Sequence, residues 1–152
     1  MKRKVTFIIG GARSGKSSFA MSEALKTEGK KAYIATAQAL DEEMKKRIEK
    51  HKKDRGDGWD TFEEPVRISD VIKKIERKYE VIVIDCLTLW LSNLIMNKKD
   101  IEKEIGSFIL SLSTIHCSLF TVSNEVGMGI VPENEMARGF RDMAGALNQK
   151  VA

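Results

Sequence analysis

The chain has 152 residues, 42% of them hydrophobic, and a formal net charge of +4, which predicts one domain with a buried core spanning residues 1–152. The longest apolar stretch, from Leu87 to Met96, is too short to span a bilayer, and the start of the chain does not read as a signal peptide. The two cysteines, Cys86 and Cys117, do not form a Cys-x-x-Cys motif and are interpreted as buried thiols of a cytoplasmic protein.

The strongest motif follows the first predicted strand, Val5 to Ile9, and precedes a helix predicted from Lys16 to about Glu28. It matches the phosphate-binding pattern G-x-x-x-x-G-K-[ST] in Gly10, Gly11, Ala12, Arg13, Ser14, Gly15, Lys16 and Ser17. Glycines let the backbone wrap around an anion, and the amides at the helix start point toward it. The lysine adds a charge for the phosphates, and the Ser17 hydroxyl can ligate Mg²⁺. The sequence therefore predicts a nucleoside triphosphate site.

The next segment begins with a short predicted strand, Ala32 to Ala35, and a loop. Asp41 is expected to cap a helix that runs to about Lys53. The many basic residues of this helix alternate with acidic ones, which favours a solvated face over a nucleic-acid patch. The stretch from Trp59 to Glu64 is read as extended or loop, and Ser69 is expected to cap a helix through Lys78.

The second half of the chain continues the alternation of strands and helices. Residues 81–84 are all branched aliphatic and predict a third strand, a helix follows over 87–96, and residues 118–122 predict a fourth strand. The run Asn97-Lys98-Lys99-Asp100 matches a guanine-reading motif, but it follows a helix, so we interpret it as a turn in which Asp100 caps the next helix. Asn134 is expected to start the last helix. This order predicts a parallel sheet covered on both faces, with ligands at the carboxyl ends of the strands.

Two carboxylates lie at predicted strand ends. Asp85 is favoured as a Mg²⁺ ligand, and the alternative is a cap for the following helix. Glu125 could position a water, a hydroxyl or the metal, or could simply bond to neighbouring loop amides.

The chain has two histidines. His116 lies just before a strand and is interpreted as structural. His51 lies late on a charged helix, where a histidine is usually only exposed. It is nevertheless the one nitrogen nucleophile near the predicted ligand edge of the sheet.

Taken together, several segments resemble one family, the bifunctional adenosylcobinamide kinase / adenosylcobinamide-phosphate guanylyltransferases of cobalamin synthesis. The resemblance covers nearly the whole chain. The matching positions are residues 10–17, 33–37, 41–44, 47–48, 51–52, 59, 61, 63–65, 85–88, 93–94, 124–134, 137–138, 140–142 and 148–149.

The resemblance implies a three-layer, RecA-like P-loop NTPase fold with a mostly parallel sheet, in which the last strand of the family is apparently absent. It implies phosphorylation of adenosylcobinamide with ATP or GTP, followed by transfer of GMP from GTP through a histidine adduct, for which His51 matches the position. It also implies a homo-oligomer, commonly a trimer, and no nucleic-acid partner. The resemblance also implies nucleotide contacts for Thr36, Ala37 and Glu63. Lys52 and Arg55 lie on or beside the helix of His51 and could contact phosphate.

Two other functions stay open from the sequence. One is a P-loop small-molecule kinase without the guanylyl step. The other is a RecA-like NTPase module acting on nucleic acid, which would bind more weakly as salt rises. The aromatic residues fall mostly at predicted core positions, so the sequence shows no platform for stacking bases.

Overall fold

A computed structural model describes residues 4–11, 14–125 and 134–152. Within these ranges the elements in chain order are β1 (Val5–Gly10), α1 (Lys16–Ala24), β2 (Lys31–Ala35), α2 (Glu42–Arg55), β3 (Trp59–Glu63), α3 (Ile68–Ile75), β4 (Val81–Asp85), α4 (Leu87–Met96), α5 (Ile101–Thr114), β5 (Ser118–Asn124) and α6 (Glu135–Val151). None of the helices in the described part of the chain is long and apolar enough to cross a membrane.

The five described strands form one sheet in the order β1-β5-β4-β2-β3, and every neighbouring pair is parallel. The α/β fold class expected from the sequence is therefore confirmed. Strand β5 lies between the strand that precedes the phosphate-binding motif and the strand that ends at Asp85. In this register Gly10 pairs with Asn124, and Ala35 pairs with both Asp85 and Glu63. The carboxyl ends of all five strands thus meet at one edge, as predicted.

Two apolar clusters cover the two faces of the sheet, which gives the three layers. The larger cluster joins the sheet to α3, α4, α5 and α6, and it contains fully buried Trp90 and Phe108. The smaller cluster joins the other face to α1 through Ala20 and Ala24. The central strand β4 contributes to both clusters because its alternating side chains are buried on both faces.

Trp59–Glu63, left open as extended or loop in the sequence analysis, forms a fifth strand at the edge of the sheet. It is held there by pairing with β2 and by Trp59, whose buried ring meets the ring of Tyr33 edge to face at 6.1 Å. The first helix ends at Ala24 rather than near Glu28, because the following amides of Lys26 and Thr27 close tighter turns onto carbonyls three residues earlier.

The predicted helix caps are confirmed at Asp41, Asp100 and Asn134, whose side-chain oxygens accept hydrogen bonds from backbone N–H groups three residues later. The prediction that Ser69 caps the third helix is wrong. Ser69 lies inside α3 and is buried, so its hydroxyl is not at the helix start. The backbone N–H groups just before α3 donate instead to the carboxylate of Glu64, at 3.0 Å each.

Candidate nucleotide and transfer site

The phosphate-binding loop joins β1 to α1. Gly15 takes the N-cap position of α1 with φ +84°, a left-handed conformation that glycine adopts without strain. The Lys16 ammonium folds over the loop, where it donates to the carbonyl oxygen of Gly11 and to the Ser14 hydroxyl at 3.3 Å. A side chain at Gly10 would place its Cβ 2.8 Å from that hydroxyl, so the Ser14 side chain would have to move to admit it. Ala12 and Arg13 lie outside the described residues.

Asp85 faces this loop from the end of β4. The Ser17 hydroxyl donates to Asp85 Oδ2 at 2.7 Å, and the Tyr33 hydroxyl donates to the same oxygen. Helix α4 is capped by Cys86, whose Sγ accepts from the Leu89 amide at 3.5 Å. The alternative in which Asp85 caps the next helix is therefore wrong.

The oxygen atoms of Ser17 and Asp85 fit the chemistry of Mg²⁺, which prefers hard oxygen ligands. Within residues 4–11, 14–125 and 134–152, no group of three or more His, Cys, Asp or Glu side chains is arranged as a metal site. A nucleotide-bound Mg²⁺ does not need one, because phosphates and waters complete its shell around one or two protein ligands.

A cavity of about 200 Å³ lies over the loop. Its lining residues come from the loop, from the end of β4 and from the end of β5, and are Ser14, Gly15, Lys16, Ser17, Ser18, Asp85, Cys86, Val122 and Asn124. We call it the phosphate cavity, because it combines the start of a helix with a lysine and a carboxylate.

A buried polar network fixes the β5 side of the phosphate cavity. The backbone N–H of Asn124 donates to Thr88 Oγ1 at 2.8 Å, and the backbone carbonyl of Asn124 accepts from Asn148 Nδ2 at 3.3 Å. The Ser123 hydroxyl donates to Asn148 Oδ1 at 2.6 Å. The next residue, Glu125, ties β5 to β1 through its amide, which donates to the Gly10 carbonyl at 2.8 Å. Asn148 belongs to the stretch 148–149 that carries the family resemblance, but the sequence analysis assigned it no role in this network.

A second cavity, of about 230 Å³, adjoins the first and is called here the histidine cavity. One face of α2 forms its outer wall with Met44, Arg47, Ile48, His51 and Arg55, which recur at intervals of three and four residues. The inner wall is formed by Ser17, Tyr33, Ala35, Ala37, Asp85 and Leu89. Ser17 and Asp85 line both cavities. His51 is solvent-exposed, as its helix suggests, but it lines the same cavity as the two candidate metal ligands.

Arg55 ends α2 and anchors it to the sheet. Its guanidinium carbon lies 3.8 Å from the centre of the Tyr33 ring, and its Nη2 donates to Thr61 Oγ1 at 3.2 Å. Its buried Nε makes no hydrogen bond within the described part of the protein. Two turns earlier, Arg47 pairs with Glu43 at 2.8 Å on an exposed surface.

The other residues predicted to contact the nucleotide do not all lie at the same cavity. Ala37 lines the histidine cavity. Thr36 is fully buried, and its hydroxyl is engaged with the backbone of Cys86, donating at 2.8 Å and accepting at 2.9 Å. Lys52 lines a separate cavity beside Trp59, and Glu63 is exposed at the end of β3 and lines neither of the two main cavities.

Helix α4 braces the loops that surround the histidine cavity. Asn93 Nδ2 donates to the carbonyl oxygens of Thr36 at 2.7 Å and Pro65 at 2.9 Å, which joins the ends of β2 and β3. The indole N–H of Trp90 donates to the Val66 carbonyl at 2.8 Å. Both residues are buried, and their positioning role was not predicted from the sequence.

Burial sets the protonation of two groups beside Asp85. It raises the pKa of the Tyr33 hydroxyl strongly, and the Asp85 charge and hydrogen bond raise it further, so Tyr33 stays a hydrogen-bond donor. Burial, with the Asp85 charge, raises the pKa of the Cys86 thiol to about 11. The thiol is therefore protonated near neutral pH and is a poor nucleophile.

The phosphate-binding loop follows β1, and the carboxylate of Asp85 ends β4, with β5 between these two strands. This arrangement defines a P-loop nucleotide-binding protein of the α/β class. The family model described as "Cobinamide kinase / cobinamide phosphate guanyltransferase" matches residues 6–152. Three relatives cover 95% of this chain. They are "Bifunctional adenosylcobalamin biosynthesis protein CobP" of Pseudomonas aeruginosa, 39% identical with 85% of its length covered, and the proteins named "Bifunctional adenosylcobalamin biosynthesis protein CobU" of Escherichia coli and Salmonella typhimurium, each 38% identical with 88% covered.

The chain belongs to the cobinamide kinase / cobinamide phosphate guanyltransferase family. The resemblance stated from the sequence is thereby confirmed, and the protein is an enzyme of the transferase class that uses nucleotide substrates. The family and the names of its relatives support the bifunctional prediction and not the two alternatives.

Proposed function

We propose that this protein phosphorylates adenosylcobinamide with ATP or GTP and then transfers GMP from GTP to adenosylcobinamide phosphate, releasing pyrophosphate, in cobalamin biosynthesis. The observation that carries the proposal is the common wall of the two cavities. Because Ser17 and Asp85 line both, a triphosphate held by the loop lies within the same site as His51.

In the kinase step, the loop amides and Lys16 hold the β- and γ-phosphates. The hydroxyl oxygen of the corrinoid attacks the γ-phosphorus, and the bond from this phosphorus to the β,γ-bridging oxygen breaks. The nucleoside diphosphate leaves, and the hydroxyl proton passes to solvent. Ser17 and Asp85 would hold Mg²⁺, which when bound neutralises the charge on the phosphates. The Lys16 ammonium supplies positive charge where the transferred group gains negative charge.

In the guanylyl step, a ring nitrogen of His51 attacks the α-phosphorus of GTP. The bond from the α-phosphorus to the bridging oxygen breaks, and pyrophosphate leaves. A phosphate oxygen of adenosylcobinamide phosphate then attacks the same phosphorus, and the nitrogen–phosphorus bond breaks to regenerate His51. Splitting one displacement into two steps is the usual advantage of a covalent intermediate.

Positive charge around His51 suits this chemistry. Arg47 and Arg55 lie on the same face of α2, one turn on either side of the histidine, and both line its cavity. We propose that both neutralise phosphate charge during transfer and that Ala37 contacts the nucleotide. Contacts of Thr36 and Glu63 with the nucleotide stay predictions from the resemblance. The contact of Lys52 stays a prediction from its place beside His51, and those of the loop residues 10–15 stay predictions from the phosphate-binding motif.

The setting of the enzyme is also proposed from the family. We propose that the protein works in the cytoplasm without a nucleic-acid partner and assembles as a homo-oligomer, for which the resemblance implies a trimer. Light scattering coupled to gel filtration measures the assembled mass, and a monomer under all conditions would contradict this.

The test uses GTP carrying radioactive phosphorus at the α-position. We expect acid-labile label on the wild-type protein, no label on His51→Ala, and retention of at least part of the kinase activity in that variant. His116→Ala is the matched control, because His116 lies on the surface, where its ring pairs with Glu76 at 3.0 Å, and it should keep the label.

Lys16→Ala should lose both reactions, because the same lysine serves one triphosphate site. Label that survives in His51→Ala would overturn the assignment of the nucleophile. An active kinase without any label in the wild type would instead support the kinase-only alternative. Full turnover by Lys16→Ala would contradict a shared site.

A further inference from the structure

Tyr33 lies between the two functional halves of the site. It is a buried residue of β2 that lines the histidine cavity, and it contacts Asp85 with its hydroxyl and Arg55 with its ring. These contacts form a continuous chain from Ser17 through Asp85 and Tyr33 to the end of α2.

The hydroxyl acts on the carboxylate. Tyr33 on β2 and Ser17 at the start of α1 both donate to Oδ2 of Asp85, so two hydrogen bonds from different elements fix the rotation of one carboxyl group. Neither of these bonds uses Oδ1. Hydrogen bonds that orient a metal-binding carboxylate commonly change metal affinity by about 10- to 100-fold when they are removed.

The ring acts on the helix that carries His51. Helix α2 has no fully buried residue, so it is attached to the sheet only through the partly buried side chains of its inner face. Arg55 is its last residue and stacks on Tyr33 at 3.8 Å, and Trp59 supports the ring from the side. His51 lies about one turn before this anchor, so the stacked pair limits where the imidazole can lie.

We propose that Tyr33 is a positioning residue for both reactions, in which the hydroxyl orients Asp85 for the Mg²⁺-bound nucleotide and the ring places the His51 helix over it. The role of the ring rests on the proposed function, because it concerns the position of His51. The hydroxyl's role depends only on nucleotide binding.

The experiment separates the two roles with three variants. Tyr33→Phe removes the hydroxyl and keeps the ring, whereas Tyr33→Leu removes both. Tyr79→Phe is the matched control, since Tyr79 is also partly buried and its hydroxyl also donates to an aspartate, Asp60, at 2.6 Å, but this hydrogen bond lies on the surface outside both cavities. Each variant is titrated with Mg²⁺ while the binding of a fluorescent GTP analogue is followed, and the rate of His51 labelling is measured at saturating Mg²⁺.

We expect Tyr33→Phe to raise the half-saturating Mg²⁺ concentration by about 10-fold while labelling at saturating Mg²⁺ stays within about threefold of wild type. Tyr33→Leu should show the same Mg²⁺ shift and a further loss of labelling rate of roughly 10-fold, in the range of a desolvated cation–π contact. Tyr79→Phe should change neither quantity. An unchanged Mg²⁺ requirement in Tyr33→Phe, or equal labelling rates in the Phe and Leu variants, would overturn the proposal.

A further variant covers the case in which Tyr33→Leu does not fold. Arg55→Lys keeps the positive charge but loses the planar stacking group, so it should slow labelling without changing the half-saturating Mg²⁺ concentration. A labelling rate equal to that of wild type would overturn the ring's role. Absence of label from the wild type would refute the proposed function instead, and the Mg²⁺ titration would still decide the role of the hydroxyl.

Discussion

The side chain of Asn148 is the best test of how the phosphate cavity is held in place. It is 6% exposed and joins α6 to the end of β5 through two hydrogen bonds, one from Ser123 Oγ at 2.6 Å and one to the Asn124 carbonyl at 3.3 Å. Asn148→Ala removes both bonds at once. It leaves the Ser123 hydroxyl with Thr88 as its remaining partner at 3.3 Å and leaves the carbonyl without this donor.

The magnitude follows from these contacts. A lost hydrogen bond costs about 1 kcal/mol, and a buried polar group left unsatisfied costs about 1–3 kcal/mol. The Ser123 hydroxyl keeps Thr88 as a partner, so its lost bond costs about 1 kcal/mol, and the Asn124 carbonyl, which loses this donor, costs about 1–3 kcal/mol, so the sum is about 2–4 kcal/mol. That is a large share of the total free energy of unfolding of a domain, which is roughly 5–15 kcal/mol. For a chain of this length it corresponds to a fall in Tm of roughly 5–15 °C.

Urea unfolding followed by circular dichroism measures the change, with Gln149→Ala as the control. Gln149 is the next residue of the same helix, carries the same amide group and is exposed, so its loss should change stability by less than about 0.5 kcal/mol. Unfolding of Asn148→Ala at the same urea concentration as Gln149→Ala would contradict the stabilising role of Asn148. If Asn148→Ala is destabilised but binds nucleotide as tightly as wild type, the network does not shape the phosphate cavity.

Two other expectations follow from the structure. Gly29→Ala should destabilise the protein by more than about 1 kcal/mol in urea unfolding, because Gly29 has φ +106° and an added Cβ would lie 2.5 Å from the Glu80 side chain; an unchanged midpoint would contradict this. Burial raises the pKa values of Cys86 and Cys117 to about 11 from about 9, so folding favours the neutral thiols. The stability they contribute is full below pH 9 and is lost between about pH 9 and 11. Replacing both with alanine should flatten that part of the stability–pH curve, and an equally steep fall would show that other groups cause it.

The parts of the fold that sequence predicts well are those set by local chemistry. Val81 to Ile84 are four consecutive branched aliphatic residues, a run that favours a strand buried on both faces, as observed. The spacing of the glycines and the lysine from Gly10 to Ser17 indicates phosphate binding. Asp41 caps its helix because a short acidic side chain reaches the nearby amides wherever the helix lies.

The parts that sequence predicted poorly depend on contacts between distant segments. Strand β3 has five residues and is stabilised by pairing with β2, so its own sequence is ambiguous between strand and loop. Tyr33 and Asp85 are separated by 52 positions in the chain, and no local pattern indicates that one donates to the other. Lys52 follows His51 directly, yet it lines a different cavity, because the direction of a helical side chain changes by about 100° per residue.

The two halves of the site are attached to the protein in different ways, and this difference has a consequence for its two reactions. Asp85 closes a strand whose preceding four residues are fully buried, and the Thr36 hydroxyl and Asn93 amide bind the backbone around it. Helix α2 instead has no fully buried side chain, and it reaches the sheet through Arg55 and the partly apolar wall of the histidine cavity. Small changes in packing on α2 should therefore cost little folding free energy, and under the proposed mechanism they would move the His51 imidazole relative to the phosphates of the nucleotide. In a transfer that requires in-line attack, a displacement of about 1 Å is enough to cost roughly 100-fold in rate. The guanylyl step should consequently be far more sensitive than the kinase step to substitutions on this helix, although both reactions use the same phosphate-binding loop.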